Sequence, residues 1–195
     1  MKDHAINLRD LLFVVADPNS YLCMIVHSML RSFGANKVIE ARDSLGVIKA
    51  LTGQKIDILV CDARLPPHGG LKLTHAIRRN THNENRTVPI LIMTGDTRAS
   101  TIKTARDVGA NMVVAKPISP ASLYDRLAWI AFNPRQFVDT ATYFGPDRRF
   151  KIEGYPSGVG RRKGDKDITV GESAGPALSQ SEIDNLLNLA RTGQD

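Results

Sequence analysis

The chain has 195 residues, 42% of them hydrophobic, with 26 Lys plus Arg against 20 Asp plus Glu and a formal net charge of +6. That length suits one ordinary domain with a tail; it excludes a large multidomain enzyme, and the apolar content excludes disorder throughout. The longest apolar runs, such as Leu11 to Ala16, fall far short of the roughly 20 residues that span a bilayer, and the start lacks a signal-peptide core, so a cytoplasmic protein without membrane insertion is expected.

Through residue 132 the sequence alternates short apolar runs with amphipathic segments, the pattern of parallel strands joined by crossover helices. The runs Leu11–Ala16, Lys37–Ala41, Ile56–Asp62, Val88–Thr94 and Asn111–Ala115 are predicted strands. The helices are predicted at 19–33, 43–52, 70–80, 97–108 and 119–132, with Asp43 and Ser119 as N-caps and Gly34, Gly53 and Gly109 as stops. Cys23 and Cys61 have no CxxC spacing and read as small buried residues, not as a disulfide or zinc site. The expected fold is α/β, an open five-stranded parallel sheet that binds its ligand beyond the carboxyl ends of the strands.

Asp17, Asp62, Thr94 and Lys116 follow the first, third, fourth and fifth strands. Two carboxylates on one rim suit a hard divalent cation, magnesium, which keeps several waters beside one or two protein acids and phosphate oxygens. A hydroxyl and an ammonium beside them would hold the oxygens of a transferring phosphoryl group. The plain alternative is that Asp62 and Lys116 form only a salt bridge.

The segments FVVADPNS, ILVCDARLPPHGGL, PILIMTGD and MVVAKPIS resemble, in order, the CheY-like response-regulator receiver domains, over residues 9–132. The resemblance implies a flavodoxin-like doubly wound fold and a phosphorelay role, not an enzyme acting on an outside substrate. It implies Asp62 as acceptor of a phosphoryl group from a histidine kinase or phosphotransfer protein. Lys116, joined to Pro117 by a cis bond, and Thr94 would contact the phosphoryl oxygens. Magnesium would be held by Asp17, Asp62 and the backbone carbonyl of Arg64. The sequence departs from the family pattern at three places: Ala16 replaces a second acid, Val113 replaces the usual aromatic residue, and Gly69 stands where an acid is common. Loss of an outer metal partner weakens magnesium binding without abolishing it. The five histidines all precede residue 83 and have no metal or triad spacing.

After residue 132 the composition changes. Residues 133–166 carry eight basic and four acidic residues, and residues 167–195 one basic and five acidic. Residues 133–175, rich in Gly, Pro and Arg, read as a linker that is mostly disordered and lacks a packed domain. No helix-turn-helix is present, which argues against DNA. Tyr143-Phe-Gly-Pro-Asp-Arg-Arg149 recurs loosely as Tyr155-Pro-Ser-Gly-Val-Gly-Arg-Arg162. Arginine bonds phosphate and the guanine edge, and its plane stacks on rings. The segment resembles the arginine-rich tail of CheY-like flagellar regulators that bind cyclic di-GMP, which implies contacts from Arg135, Tyr143, Arg148, Arg149, Arg161 and Arg162. A solvated basic linker is the alternative.

Residues 176–193 combine a capping box, Ser179 with Glu182, and an apolar face of Ile183, Leu186, Leu187 and Ala190 behind Leu178, which predicts a short amphipathic helix that folds on a partner. LSQSEIDNLL resembles the N-terminal peptide of the flagellar switch protein FliM. This implies a link to motility or chemotaxis, through the flagellar switch, another CheY-like protein, or this protein's own receiver face. Two modes of action follow: a phosphorylated receiver, or an adaptor switched by cyclic di-GMP ordering its tail.

Overall fold

The computed structural model describes residues 6–148. Five parallel strands, β1 (Leu12–Ala16), β2 (Lys37–Ala41), β3 (Ile58–Asp62), β4 (Ile90–Thr94) and β5 (Met112–Ala115), form one sheet in the order β2-β1-β3-β4-β5. The helices α1 (Ser20–Ser32), α2 (Ser44–Gly53), α3 (Gly70–Arg79), α4 (Ala99–Asp107) and α5 (Pro120–Phe132) alternate with them. The expected doubly wound α/β fold is therefore present. The predicted strands run up to two residues too long at their starts, where Ile56 and Val88 are buried ahead of the ladder.

Strands β3 and β4 are buried along their whole length, so they read as unbroken apolar runs with no alternation. One sheet face packs Val14, Leu59, Ile90, Ile92 and Val113 against Val47 and Leu51 of α2, Leu73 and Ile77 of α3, and Ile102 of α4. The other packs Phe13, Val15, Val60, Leu91 and Met93 against Cys23, Val26 and Leu30 of α1 and Leu123 and Leu127 of α5. Local signals set the helix starts: Asn19, Asp43 and Ser119 accept hydrogen bonds from the amides of Tyr21, Gly46 and Ser122. Gly34 and Gly109, at φ +96°, end α1 and α4 in the left-handed region that glycine enters without strain. Among the described residues no helix is long and apolar enough to cross a membrane.

The linker expected from residue 133 onward does not begin there as unpacked chain. Residues 137–146 form an antiparallel hairpin of β6 (Phe137–Asp139) and β7 (Phe144–Pro146) seated against α3 and against Gly109, just beyond the end of α4. Arginine–aromatic stacking holds it: the Arg86 guanidinium lies 3.3 Å from the Phe144 ring centre, and Arg78 lies 5.0 Å from that of Phe137. A Cβ on Gly145 would come within 2.9 Å of the Gly109 Cα, so the hairpin needs glycine at this crossing. Arg78 itself is 1% exposed and donates to the carbonyls of Gly109, Arg86 and Val88 and to Asn111 Oδ1. Its burial pushes it down to about 9, and the four oxygen acceptors take the place of water around the buried charge.

Candidate functional site

Parallel pairing aligns the strand ends. Ala16 is opposite Cys61, Asp62 opposite Met93, and Thr94 opposite Ala115, so the residues that close these strands share one rim. Asp17 follows β1 and its amide donates to the Ala41 carbonyl at 3.1 Å, while Lys116 follows β5 and its amide donates to the Thr94 carbonyl at 2.8 Å. The cis bond expected between Lys116 and Pro117 is present, as is a second between Pro66 and Pro67.

Lys116 Nζ donates to Asp17 Oδ2 at 2.5 Å and to Asp62 Oδ2. The other oxygens are also engaged, Asp17 Oδ1 by the Asn19 amide at 2.9 Å and Asp62 Oδ1 by the Arg64 amide at 2.7 Å. The side chains of Asp17 and Asp62 are only 1% and 7% exposed. Burial alone would lower the Lys116 ammonium, but hydrogen bonds to the two carboxylates outweigh it and hold the group above its ordinary value. Two buried acids against one ammonium leave a net negative pocket. That charge balance and the oxygen-only acidic donors fit a small hard cation; among the described residues no cluster of three or more His, Cys, Asp or Glu side chains could hold one. Any such ion would rely on Asp17, Asp62, backbone carbonyl and water.

Thr94, at the end of β4, is buried on the same rim, but its hydroxyl is engaged by the next loop. It accepts from the Asp96 amide at 3.0 Å and donates to the Asp96 carbonyl at 3.2 Å. Asp96 was not a sequence candidate, although its spacing two residues after Thr94 is the turn signal that could have marked it. Its carboxylate accepts from Arg98 Nε at 2.8 Å and Nη2 at 2.6 Å and from Thr101 Oγ1 at 2.9 Å. The Arg98 hydrogen bonds, chiefly, hold that carboxyl well below the usual range.

The departures from the family pattern have physical counterparts. Ala16 is fully buried and Val113 is 1% exposed in the core, so neither can reach solvent as an acid or a swinging ring would. Gly69 sits at φ +91°, a conformation in which an acid would be strained. At Gly70 a Cβ would run into the Asp62 carbonyl oxygen and come within 2.8 Å of Cys61 Sγ, so glycine permits the loop to pass behind Asp62. Both cysteines are free and buried, and burial pushes each thiol up. Arg64 and His68 are exposed on the loop after β3.

The tail candidates divide. Arg135 lies 4.8 Å from the Trp129 ring centre, and Arg148 lies 3.7 Å from that of Tyr143 and bonds Asp107 at 2.8 Å. Burial lowers Arg135 to about 10 and raises Tyr143. Arg149, Arg161, Arg162, Leu178, Ile183, Leu186 and Leu187 lie outside the described residues.

Comparison with known proteins agrees with the fold. The sensory/regulatory protein RpfC of Xanthomonas campestris is 27% identical over 139 residues, covering 71% of this chain and 19% of that protein. The CAI-1 autoinducer sensor kinase/phosphatase CqsS of Vibrio cholerae is 30% identical over 118 residues, 60% of this chain and 17% of that protein. The chain thus spans about a fifth of the length of these curated relatives. Among solved structures, the receiver domain of sensor histidine kinase PA1611 from Pseudomonas aeruginosa, with a magnesium ion in its active site cleft, is 27% identical at a TM-score of 0.56, covering 63% of this chain and 99% of that one. The chemotaxis response regulator CheY4 of Vibrio cholerae shares the fold at 23% identity and a TM-score of 0.56, covering 62% of this chain and 98% of that one. Residues 13–128 match the response regulator receiver domain, and the chain belongs to that family.

Proposed function

We propose that this protein is a phosphorelay response regulator whose acceptor is Asp62. The convergence of Asp17, Asp62 and Lys116 carries the reading: a carboxylate nucleophile lies beside a second acid and an ammonium at the open end of a parallel sheet. A carboxylate oxygen of Asp62 attacks the phosphorus of a phosphohistidine on a histidine kinase or phosphotransfer protein. The new P–O bond replaces the P–N bond, and the imidazole leaves with the electron pair. Lys116 then neutralises phosphoryl oxygens, and Thr94 supplies a hydroxyl once it leaves Asp96. Asp17, Asp62 and the Arg64 carbonyl would hold magnesium, whose contribution is to offset charge on the transferring group. The output is protein–protein interaction, and LSQSEIDNLL supports a role in motility or chemotaxis. Incubation with acetyl phosphate and magnesium tests the acceptor: one phosphoryl group is expected on the wild type by intact mass and none on Asp62→Asn. Equal labelling of both would reject the assignment.

A second reading has its own support. Ala16 weakens the metal site, Val113 removes the aromatic switch, and Arg135, Tyr143 and Arg148 gather beside α4 and α5. These favour a cyclic di-GMP-responsive adaptor of the flagellar motor, in which nucleotide binding to the arginine-rich tail switches the protein. Calorimetry with the full chain at micromolar cyclic di-GMP tests it, and absence of heat would reject it.

A further inference from the structure

The second reading places the nucleotide contacts in the tail. The geometry points to a fuller site: Arg106 of the receiver belongs to the nucleotide's phosphate site with Arg135 and Arg148, and Asp107 keeps that site closed by competing for the same guanidiniums. The inference rests on the cyclic di-GMP reading and adds its regulation.

Arg106, Arg135 and Arg148 line one concavity with Ala110, Asn111 and Val113, between the last turn of α4, the start of β5 and the residues on either side of the hairpin. A single carboxylate oxygen serves two of them. Asp107 Oδ1 accepts from Arg148 Nη1 at 2.8 Å and from Arg106 Nη2 at 3.1 Å and Nε at 3.3 Å. Arginine binds carboxylate or phosphate best as a two-pronged fork on two oxygens. Here two guanidiniums share one carboxylate oxygen. A phosphodiester presents two non-bridging oxygens with full acceptor capacity, so exchanging Asp107 for a phosphate lets the two guanidiniums bond separate oxygens. The displaced pair is also weak, because the Asp107 and Arg148 side chains are 36% and 34% exposed.

The concavity holds only about 10 Å³, room for about one water and not for a phosphate. The ligand therefore enters only as Arg148 swings off Asp107. Because the Arg148 guanidinium is stacked on Tyr143 at 3.7 Å, that movement uncovers the face of the Tyr143 ring for guanine. Asp107 is the last residue of α4, so ligand binding releases the tail from the helix that follows the Thr94 loop.

Titrating the full chain with cyclic di-GMP by calorimetry tests this. The Asp107→Asn variant is expected to bind about two- to fivefold more tightly than wild type, the affinity equivalent of an exposed ion pair. The Arg106→Ala variant is expected to bind roughly tenfold more weakly, as for loss of a charged hydrogen bond. A tighter variant cannot arise from misfolding, so Asp107→Asn guards against that explanation. If wild type binds and both variants match it, Arg106 and Asp107 have no part in the site and the inference fails while the tail reading stands. If none of the three proteins binds, the tail reading itself fails.

Discussion

Thr94 keeps its hydroxyl on the backbone of Asp96, accepting from the amide at 3.0 Å and donating to the carbonyl at 3.2 Å. The group expected to meet the phosphoryl oxygens is therefore committed to the β4–α4 loop in the resting protein, and Asp96 is in turn fastened to Arg98 and Thr101. Capture of a phosphoryl group by Thr94 must release the Asp96 amide. Beryllofluoride with magnesium is expected to speed hydrogen exchange at residues 95–98 in the wild type. The Thr94→Ala variant is expected to exchange fast from the start and respond little. Identical exchange in all four samples would disconnect Thr94 from the switch.

Lys116 is the only side-chain cation bonded to the two buried carboxylates among the described residues. Replacing it with methionine leaves Asp17 and Asp62 facing each other uncompensated, a loss of roughly 3–5 kcal/mol for a broken buried pair. Urea unfolding measures it, and added magnesium should recover part of the loss in Lys116→Met by binding only the folded state. A variant as stable as wild type would show that the bridge contributes nothing.

The same bridge predicts an alkaline limb. The folded protein holds the Lys116 proton more tightly than the unfolded chain does, so its stabilisation is complete below the ordinary lysine value near 10.5 and is lost as pH rises through the higher folded value. The stability gap between wild type and Lys116→Met should be flat from about pH 8 to 10 and narrow above that. A gap that grew with pH would have the wrong sign.

Ala16 is fully buried at the end of β1, one residue before Asp17. Ala16→Asp adds a carboxylate where the pocket lacks one, so magnesium affinity by calorimetry should rise about ten- to a hundredfold. Stability without metal should fall, because a third buried acid then faces one ammonium. Unchanged affinity would show that this position does not reach the metal.

Gly70 and Gly95 make a matched pair of tests. A Cβ at Gly70 meets the Asp62 carbonyl and Cys61 Sγ, whereas a Cβ at Gly95 meets nothing within 4 Å. Gly70→Ala is expected to cost about 1–3 kcal/mol through forced backbone movement and to lower phosphorylation of Asp62, with Gly95→Ala close to wild type in both. Equal behaviour of the two variants would remove the close-packing argument.

The rim was legible because the residues that matter terminate apolar runs. A strand pattern ending in Asp62, Thr94 or just before Lys116 places its last polar side chain at the carboxyl edge whatever the tertiary detail. What escaped was set by distant partners. The hairpin strands are three residues each, too short for a visible alternation, and Arg78 and Arg86, more than fifty residues earlier in the chain, hold them. By residue type the arginines and aromatic residues of the tail suit ligand contacts, while Tyr143 and Arg148 in this structure also serve internal packing. The hydroxyl direction of Thr94 depended on a loop hydrogen bond that no periodicity reports.

The assignment of an acyl phosphate to Asp62 is tested most directly by borohydride trapping after treatment with acetyl phosphate and magnesium, followed by peptide mass spectrometry. Reduction of an aspartyl phosphate yields homoserine, and the expected result is homoserine at position 62 alone. Homoserine at another aspartate, or none in a sample that carries the phosphoryl mass, would contradict it.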